Sequence, residues 1–421
     1  MLLETKTTFY VAKTSPGCQS LSLDCQEFRE LFLKNRFRQV TEAKDAAVII
    51  IGACVVSSMN ETETVELVKK MKIHKDRGAS IVVSGCLTDH LKSSISSHVD
   101  CLYFSVAEIE AARKHFGFSD MDKTKMAVDI KSIESLNGML KLWRILHGVL
   151  RGIWRVLHKI SPKAGLMLER FLNSTYAYSP GAYLLKCSRG CSSLCTYCII
   201  RDAAHEGRMT SRSFDAIIYE VREALKAGYN HFVLVADELS SYGLDQGSER
   251  FCDLLEAILA LGDSFTIELP NLQPKYTIPV LDRFIGLLSK RVRCIHLDLQ
   301  SGSNRILKLM NRGYTKEEYL LLASAILKKE PSISLRTDVI VGFPSEEEKE
   351  LEETIDVLLQ FPFERVTVNS FEERPGAPAA RLPGGIPFEV RKKRENRVRG
   401  IVYRKQIHRW MAGFIGKDII L

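Results

Sequence analysis

The sequence lacks a secretory start. Its opening, MLLETKTTFYVAK, has neither a sustained apolar run nor a small-residue cleavage site, so a cytoplasmic protein with reduced thiols is expected. Eleven cysteines over 421 residues are too sparse for a secreted disulfide framework. There is no internal repeat and no low-complexity tract, which sets aside solenoids and disordered tails. No uncharged apolar stretch is long enough to span a membrane. Acidic residues are in deficit, 51 against 59 basic ones, for a net charge of +8. What is present is globular, with 45% hydrophobic and 26% charged residues and length for roughly two to three domains. An odd cysteine count in a reducing compartment points to metal ligands or reactive thiols rather than bridges.

Short apolar runs at 7–13, 46–54, 79–86 and 101–106 alternate with segments of helical spacing, the pattern of parallel strands in an open α/β domain. Cys18 follows the first run, Cys54 ends the second and Cys86 ends the third. In a parallel sheet those carboxyl ends share one edge, so three thiols would converge on one crevice. A second α/β series from about Leu184 to Phe371 contains YLLK, HFVLVA, FTIEL, CIHLDL, LRTDVIVG and RVTVNSF, which suggests a full or partial (β/α) barrel with its chemistry on the loops after the strands.

Between these two series lies LKLWRILHGVLRGIWRVLHKI (140–160), with Lys141, Arg144, His147, Arg151, Arg155 and His158 at helical spacing and no acidic residue. Its charges exclude a spanning helix, because each costs several kcal/mol in hydrocarbon. An amphipathic helix packed on the barrel is expected, with membrane-surface contact or docking of a partner as alternatives. A cationic helix, PFEVRKKRENRVRGIVYRKQIHRW, precedes a last possible strand, AGFIGKDIIL.

Cys191, Cys195 and Cys198 form CxxxCxxC directly after the first strand of the second series. Zinc favours four ligands in paired knuckles. Three thiols at this spacing suit a cuboidal iron-sulfur cluster with one iron left open. Tyr197 before the last cysteine strengthens this reading, because radical S-adenosylmethionine enzymes carry an aromatic there. Cys187 is read as a bystander, and Cys25, Cys101, Cys252 and Cys294 as ordinary thiols.

HLDLQSGSNRILKLMNRGYTKEEY (296–319), TDVIVGFPSEEEKELEETID, FEERPGAPAA (371–380) and VLVADELSSYGLD (233–245), with both cysteine trios, resemble the methylthiotransferase family of radical S-adenosylmethionine enzymes over nearly the whole chain. The resemblance implies an α/β architecture. It consists of an open, flavodoxin-like methylthiotransferase domain (1–135), an inserted amphipathic helix and linker (136–180), a radical S-adenosylmethionine partial (β/α)6 TIM-type barrel (181–385), and a basic helix with a truncated TRAM-like remnant (386–421). It also implies two 4Fe-4S clusters, one on Cys191, Cys195 and Cys198 and one on Cys18, Cys54 and Cys86. Two S-adenosylmethionine molecules would serve a net conversion of C–H to C–S–CH3, with electrons from a flavodoxin or ferredoxin. Asp237 and Glu238 are expected at the cofactor ammonium, and Gln300, Ser301 and Gly302 near its ribose or carboxylate. Arg336 is expected at that carboxylate, and Gly342, Phe343 and Pro344 beside the adenine. Lys275, Glu373 and Arg374 are read as facing the substrate.

Three departures from the family pattern stand out: the missing TRAM barrel, Arg201 where the family has proline, and a longer interval between Cys86 and Cys191. They suggest an altered substrate, so a ribosomally made peptide or a protein is expected, with tRNA as the alternative. Net charge and the basic helix suit either one. A chain that has lost turnover and serves as a cluster or substrate-binding scaffold is the reading from another class.

Overall fold

The computed structural model describes residues 7–15, 18–105, 108–118, 182–199, 209–248 and 250–415. The amphipathic segment 140–160 and the last residues after 415 lie outside them. The first domain is a five-stranded parallel sheet, β1 (Thr8–Lys13), β2 (Arg38–Gln39), β3 (Val48–Ala53), β4 (Ser80–Gly85) and β5 (Leu102–Phe104), in the order β2-β1-β3-β4-β5. Every residue of β3 is buried, as its uninterrupted apolar run requires of a central parallel strand. Strand β2, two residues long, is an edge piece that sequence reading did not anticipate. The sheet order reverses between β1 and β3, and crevices of open α/β sheets form at such a switch point.

Helices start where side chains satisfy the orphan amides of the first turn. Cys18 Sγ accepts from Leu21 N at 3.4 Å to cap Gln19–Lys34. Ser57 and Thr88 do the same for Ser58–Lys75 and Asp89–Ser96.

The second domain is a six-stranded parallel half-barrel of β6 (Tyr183–Lys186), β9 (His231–Val235), β10 (Thr266–Leu272), β11 (Val292–Leu297), β12 (Ser334–Val341) and β13 (Arg365–Ser370), joined in chain order. A small antiparallel pair, β7 (Ser188–Arg189) and β8 (Thr210–Ser211), flanks the loop after β6.

Helix Phe388–Ile415 closes the open side beside β13, burying Val398 and Val402. It takes in Ala412–Ile415, which sequence reading had given to a strand. Several of its cations bond the barrel, while Lys392, Lys393, Arg397, Arg399, Arg404 and Arg409 stay exposed. Arg391 donates to Phe371 O (2.8 Å), Arg399 to Val368 O (3.0 Å), Lys405 to Phe361 O (2.8 Å) and Arg409 to Phe363 O (2.8 Å). Arg394 pairs with Glu346 at 2.9 Å, and Arg397 reaches the carboxylates of Glu348 and Glu352. The helix is therefore a charged strap on the barrel, tied to it along one side and exposing cations along the other.

The domains exchange core residues. Leu23 of the first sits in the barrel core, while Ile199 and Ala377 of the second sit in the core beneath the N-terminal sheet. Among the described residues no helix is long and apolar enough to cross a membrane.

Candidate functional site

The N-terminal trio arises from three neighbouring strands. Cys54 follows β3 and Cys86 follows β4, with Ala53 and Gly85 paired in register, and Cys18 follows β1 as a helix cap. Two glycines allow this convergence. Gly85 has φ +104°, and a Cβ there would lie 2.6 Å from Ala53 O. A Cβ at Gly52 would lie 2.5 Å from Cys25 Sγ. Burial pushes the Cys18 thiol up to about 12 and Cys86 well above the usual thiol range. Cys54 adds to both shifts by its proximity. Ligation here must displace protons.

The barrel trio lies on a loop pinned from two sides. Thr196 N donates to Met310 O (3.1 Å), its hydroxyl to Leu309 O (2.8 Å), and Asn311 Nδ2 to Leu194 O (2.8 Å). From the other side Ala379 N donates to Thr196 O (2.8 Å). Tyr197 packs against Phe343, Phe371, Ile306 and Met310, with the Phe343 and Phe371 rings edge to face at 5.2 Å. Burial raises Cys191 to about 12, with Glu238 as the next cause. Cys187 is fully buried, its thiol directed at Leu185 O (3.6 Å) and away from the trio.

Both trios open on the seam between the domains. Helix Gln19–Lys34, capped by Cys18, presents Asp24 and Glu27 to Lys186 at the end of β6 and Arg189 of β7, just before Cys191, in two close ion pairs. Across the seam Arg374 donates to Val55 O (2.8 Å), next to Cys54, and pairs with Glu61 (2.7 Å). Glu372 accepts from Ser58 N at 2.9 Å. Asp237 accepts from Gly190 N (2.8 Å), beside Cys191, and its charge is a lesser cause, after burial, of the raised Cys18 and Cys86 thiols.

Glu238 also acts on Cys191. It is buried, its Oε1 accepts from Ser240 N (2.7 Å), and its Oε2 has no hydrogen-bond partner. Burial raises it to about 7. An orphaned carboxylate oxygen beside Cys191 fits an ammonium group, and three thiols at this spacing fit a cluster with one open iron.

The remaining expected contacts divide. Gln300 is held at the strand ends by its backbone, with φ +62°, bridging Asp338 O and Ile340 N. Ser301 and Gly302 turn instead toward helix Glu348–Gln360. Gly302 N donates to Thr354 Oγ1 (2.8 Å), and a Cβ there would lie 2.4 Å from Glu353 O. These two residues seat a helix. Arg336 does not reach the site: it is the third residue of β12, bound to Glu364 (2.9 Å) and near Glu268 (3.7 Å) toward the amino ends of the strands. Gly342 (φ +74°) donates its N–H to Glu346 (2.6 Å), and Phe343 and Pro344 are buried. Phe343 supports Tyr197 rather than an open surface. Lys275 is exposed after β10, its ammonium over the Tyr276 ring at 5.1 Å. Glu373 sits beside Arg391 (3.9 Å).

Sequence reading missed Arg312. Buried at 2% exposure, it donates to Cys195 Sγ (3.1 Å) and Tyr197 Oη (3.2 Å). The sequence signal was a lone arginine after a helix, inside the 296–319 stretch already singled out. Behind it His296 lies 3.4 Å from Asp298 and 3.1 Å from Asp338.

Two family models match the chain: the radical SAM superfamily over residues 185–358 and Uncharacterized protein family UPF0004 over residues 10–105. The tRNA-2-methylthio-N(6)-dimethylallyladenosine synthase of Moorella thermoacetica is 29% identical over 385 residues, covering 91% of this chain and 80% of that protein. The "Probable threonylcarbamoyladenosine tRNA methylthiotransferase" of Archaeoglobus fulgidus is 27% identical over 411 residues, covering 97% and 87%. In fold the chain is similar to the radical S-adenosylmethionine methyltransferase TsrM of Kitasatospora setae, with a TM-score of 0.56 at 12% identity, over 89% of this chain and 75% of that one.

Proposed function

Because the chain belongs to the radical S-adenosylmethionine methylthiotransferase family, enzymes with two 4Fe-4S clusters, we propose that it methylthiolates tRNA, at an adenosine already modified on N6. The observation that carries the site is that two cysteine trios, each at the carboxyl edge of its own parallel sheet, flank one seam tied by the Lys186–Asp24 and Arg374–Val55 contacts. Cys191, Cys195 and Cys198 would hold one cluster and Cys18, Cys54 and Cys86 the other. When bound, these groups supply one-electron cleavage of S-adenosylmethionine and a sulfur for insertion.

The chain's own residues do the rest. Glu238 offers its free oxygen to the cofactor ammonium while Ser240 fixes its other oxygen. Tyr197 and Phe343 wedge the cluster loop against the barrel. The Asp24, Glu27 and Arg374 contacts fix the spacing of the trios, so that substrate carbon and sulfur are brought together by position rather than by a general base.

The substrate reading moves from peptide to tRNA. Each relative named above acts, by name, on tRNA. The basic C-terminal helix suits an acidic peptide as well as RNA and does not separate the two, with Arg391 and Arg394 tied to the barrel and Lys392, Lys393 and Arg404 exposed. Residues 140–160 keep five Lys and Arg with no acid, a charge suited to phosphate.

The test is anaerobic incubation of the reconstituted chain with total tRNA, S-adenosylmethionine and a reductant, followed by mass analysis of the digested nucleosides. An adenosine derivative heavier by SCH2 is expected. If 5′-deoxyadenosine accumulates and no nucleoside gains that mass, the tRNA reading fails and the enzyme class stands.

A further inference from the structure

We propose that Arg312 raises the reduction potential of the cluster held by Cys191, Cys195 and Cys198, acting through its bond to Cys195, and that Asp298 holds that effect in check. This rests on the assignment of the barrel trio as cluster ligands.

The guanidinium is fixed in place. Nη1 donates to Cys195 Sγ at 3.1 Å and to Tyr197 Oη at 3.2 Å, and Nε donates to Tyr314 Oη at 3.3 Å. Tyr314 is itself anchored, because its hydroxyl reaches Asp298 O (2.8 Å) and Leu299 O (2.7 Å). The side chain is 2% exposed, so water screens it little.

Its neutralisation is incomplete. Among the described residues the one carboxylate paired with it is Asp298, 3.9 Å from Nη2, and Nη2 makes no hydrogen bond. Asp298 also faces His296 at 3.4 Å, and His296 is closer still to Asp338, at 3.1 Å. The acid that could cancel Arg312 is thus shared with a second base.

One-electron reduction, by a donor protein of the flavodoxin or ferredoxin class, adds a negative charge to the cluster and its sulfurs. A buried cation bonded to one of those sulfurs favours the reduced form more than the oxidised one, and a nearby carboxylate does the reverse. A purely structural arginine would hold the loop and Tyr197 without this polarity.

The two roles separate by the sign of the change. The experiment uses the full chain carrying Cys18→Ala, Cys54→Ala and Cys86→Ala, reconstituted with iron and sulfide, so that the remaining paramagnetic signal belongs to the barrel cluster. Redox titration followed by electron paramagnetic resonance should give a lower midpoint for Arg312→Gln and a higher one for Asp298→Asn. Arg312→Lys, which keeps the charge and loses the fork, should lie between Arg312→Gln and the parent. An unshifted midpoint in a cluster-replete Arg312→Gln chain, or a shift of the same sign in both variants, overturns the inference alone. If Arg312→Gln fails to retain a cluster, Asp298→Asn decides. A parent chain that binds no cluster overturns the functional reading, and this inference with it.

Discussion

Glu238 and Asp237 are adjacent in sequence and divided in work, one with a buried oxygen left for a ligand and the other holding the Gly190 amide beside Cys191. The raised value of Glu238 makes it a measurable compromise. A carboxyl moved from its usual 4.5 to about 7 contributes stability below pH 4.5 that is lost as pH rises through 7, about 3 kcal/mol in the ligand-free chain at pH 8. Glu238→Gln should therefore unfold at higher denaturant than the parent at pH 8, with the gap closing toward pH 4, while binding S-adenosylmethionine more weakly at pH 8 by calorimetry. Equal stability at both pH values would show that the burial is not as described. The strand-end position of this pair was legible because a polar pair interrupts an apolar run. Their different partners were not, since these are Ser240 for Glu238 and Gly190, 47 residues away, for Asp237. Arg336 misled for a related reason: the run LRTDVIVG marks a strand without saying which of its ends faces the site, and Arg336 is the third of the strand's eight residues. Arg312 was hidden because its partner lies 117 residues away.

Elements were read more securely than their uses. All six barrel strands and the four long N-terminal ones follow from apolar runs, since buried parallel strands need no alternation. The edge strand β2 has too few residues to leave a pattern. The C-terminal helix was visible as a cationic helix, but sequence cannot tell a cation facing water from one bonded to a carbonyl of β13 or of the preceding helix. At this scale the turn from β4 into Cys86 is the most exposed to test. Gly85→Ala places a Cβ 2.6 Å from Ala53 O at φ +104°. It should cost about 1–3 kcal/mol and shift Cys86 out of line with its two partners. Iron per reconstituted chain should fall from about eight to about four, with 5′-deoxyadenosine formation retained. Full iron content would mean that the trio tolerates the displacement.

At the scale of the whole molecule the seam is the unit of function, and it is held by buried charge. Lys186 and Asp24 have side-chain exposures of 5% and 10%. Removing one partner strands the other, so Asp24→Asn should destabilise the chain by about 3–5 kcal/mol in denaturant titration, and adding Lys186→Met should recover most of the loss. No recovery in the double variant would assign the effect to packing of the helix instead. The segment 140–160 belongs to this scale as well: replacing its five Lys and Arg by Ala should weaken tRNA binding and flatten its dependence on salt in a gel-shift series. An unchanged slope would place the RNA contacts elsewhere.

The seam also has a history within each round of synthesis. Asp24 and Lys186 are 162 residues apart, and at roughly 5–20 residues per second the acid leaves the ribosome about 8–30 s before its base. During that interval Asp24 and Glu27 stand in water beside Cys18, fully hydrated and at no cost. The N-terminal sheet can then form and bury Leu21, Phe28 and Phe32 of its first helix, while the contact of Asp24 with Lys186 waits for β6. Translation thus gives the seam a direction, with acids placed first and bases brought to them.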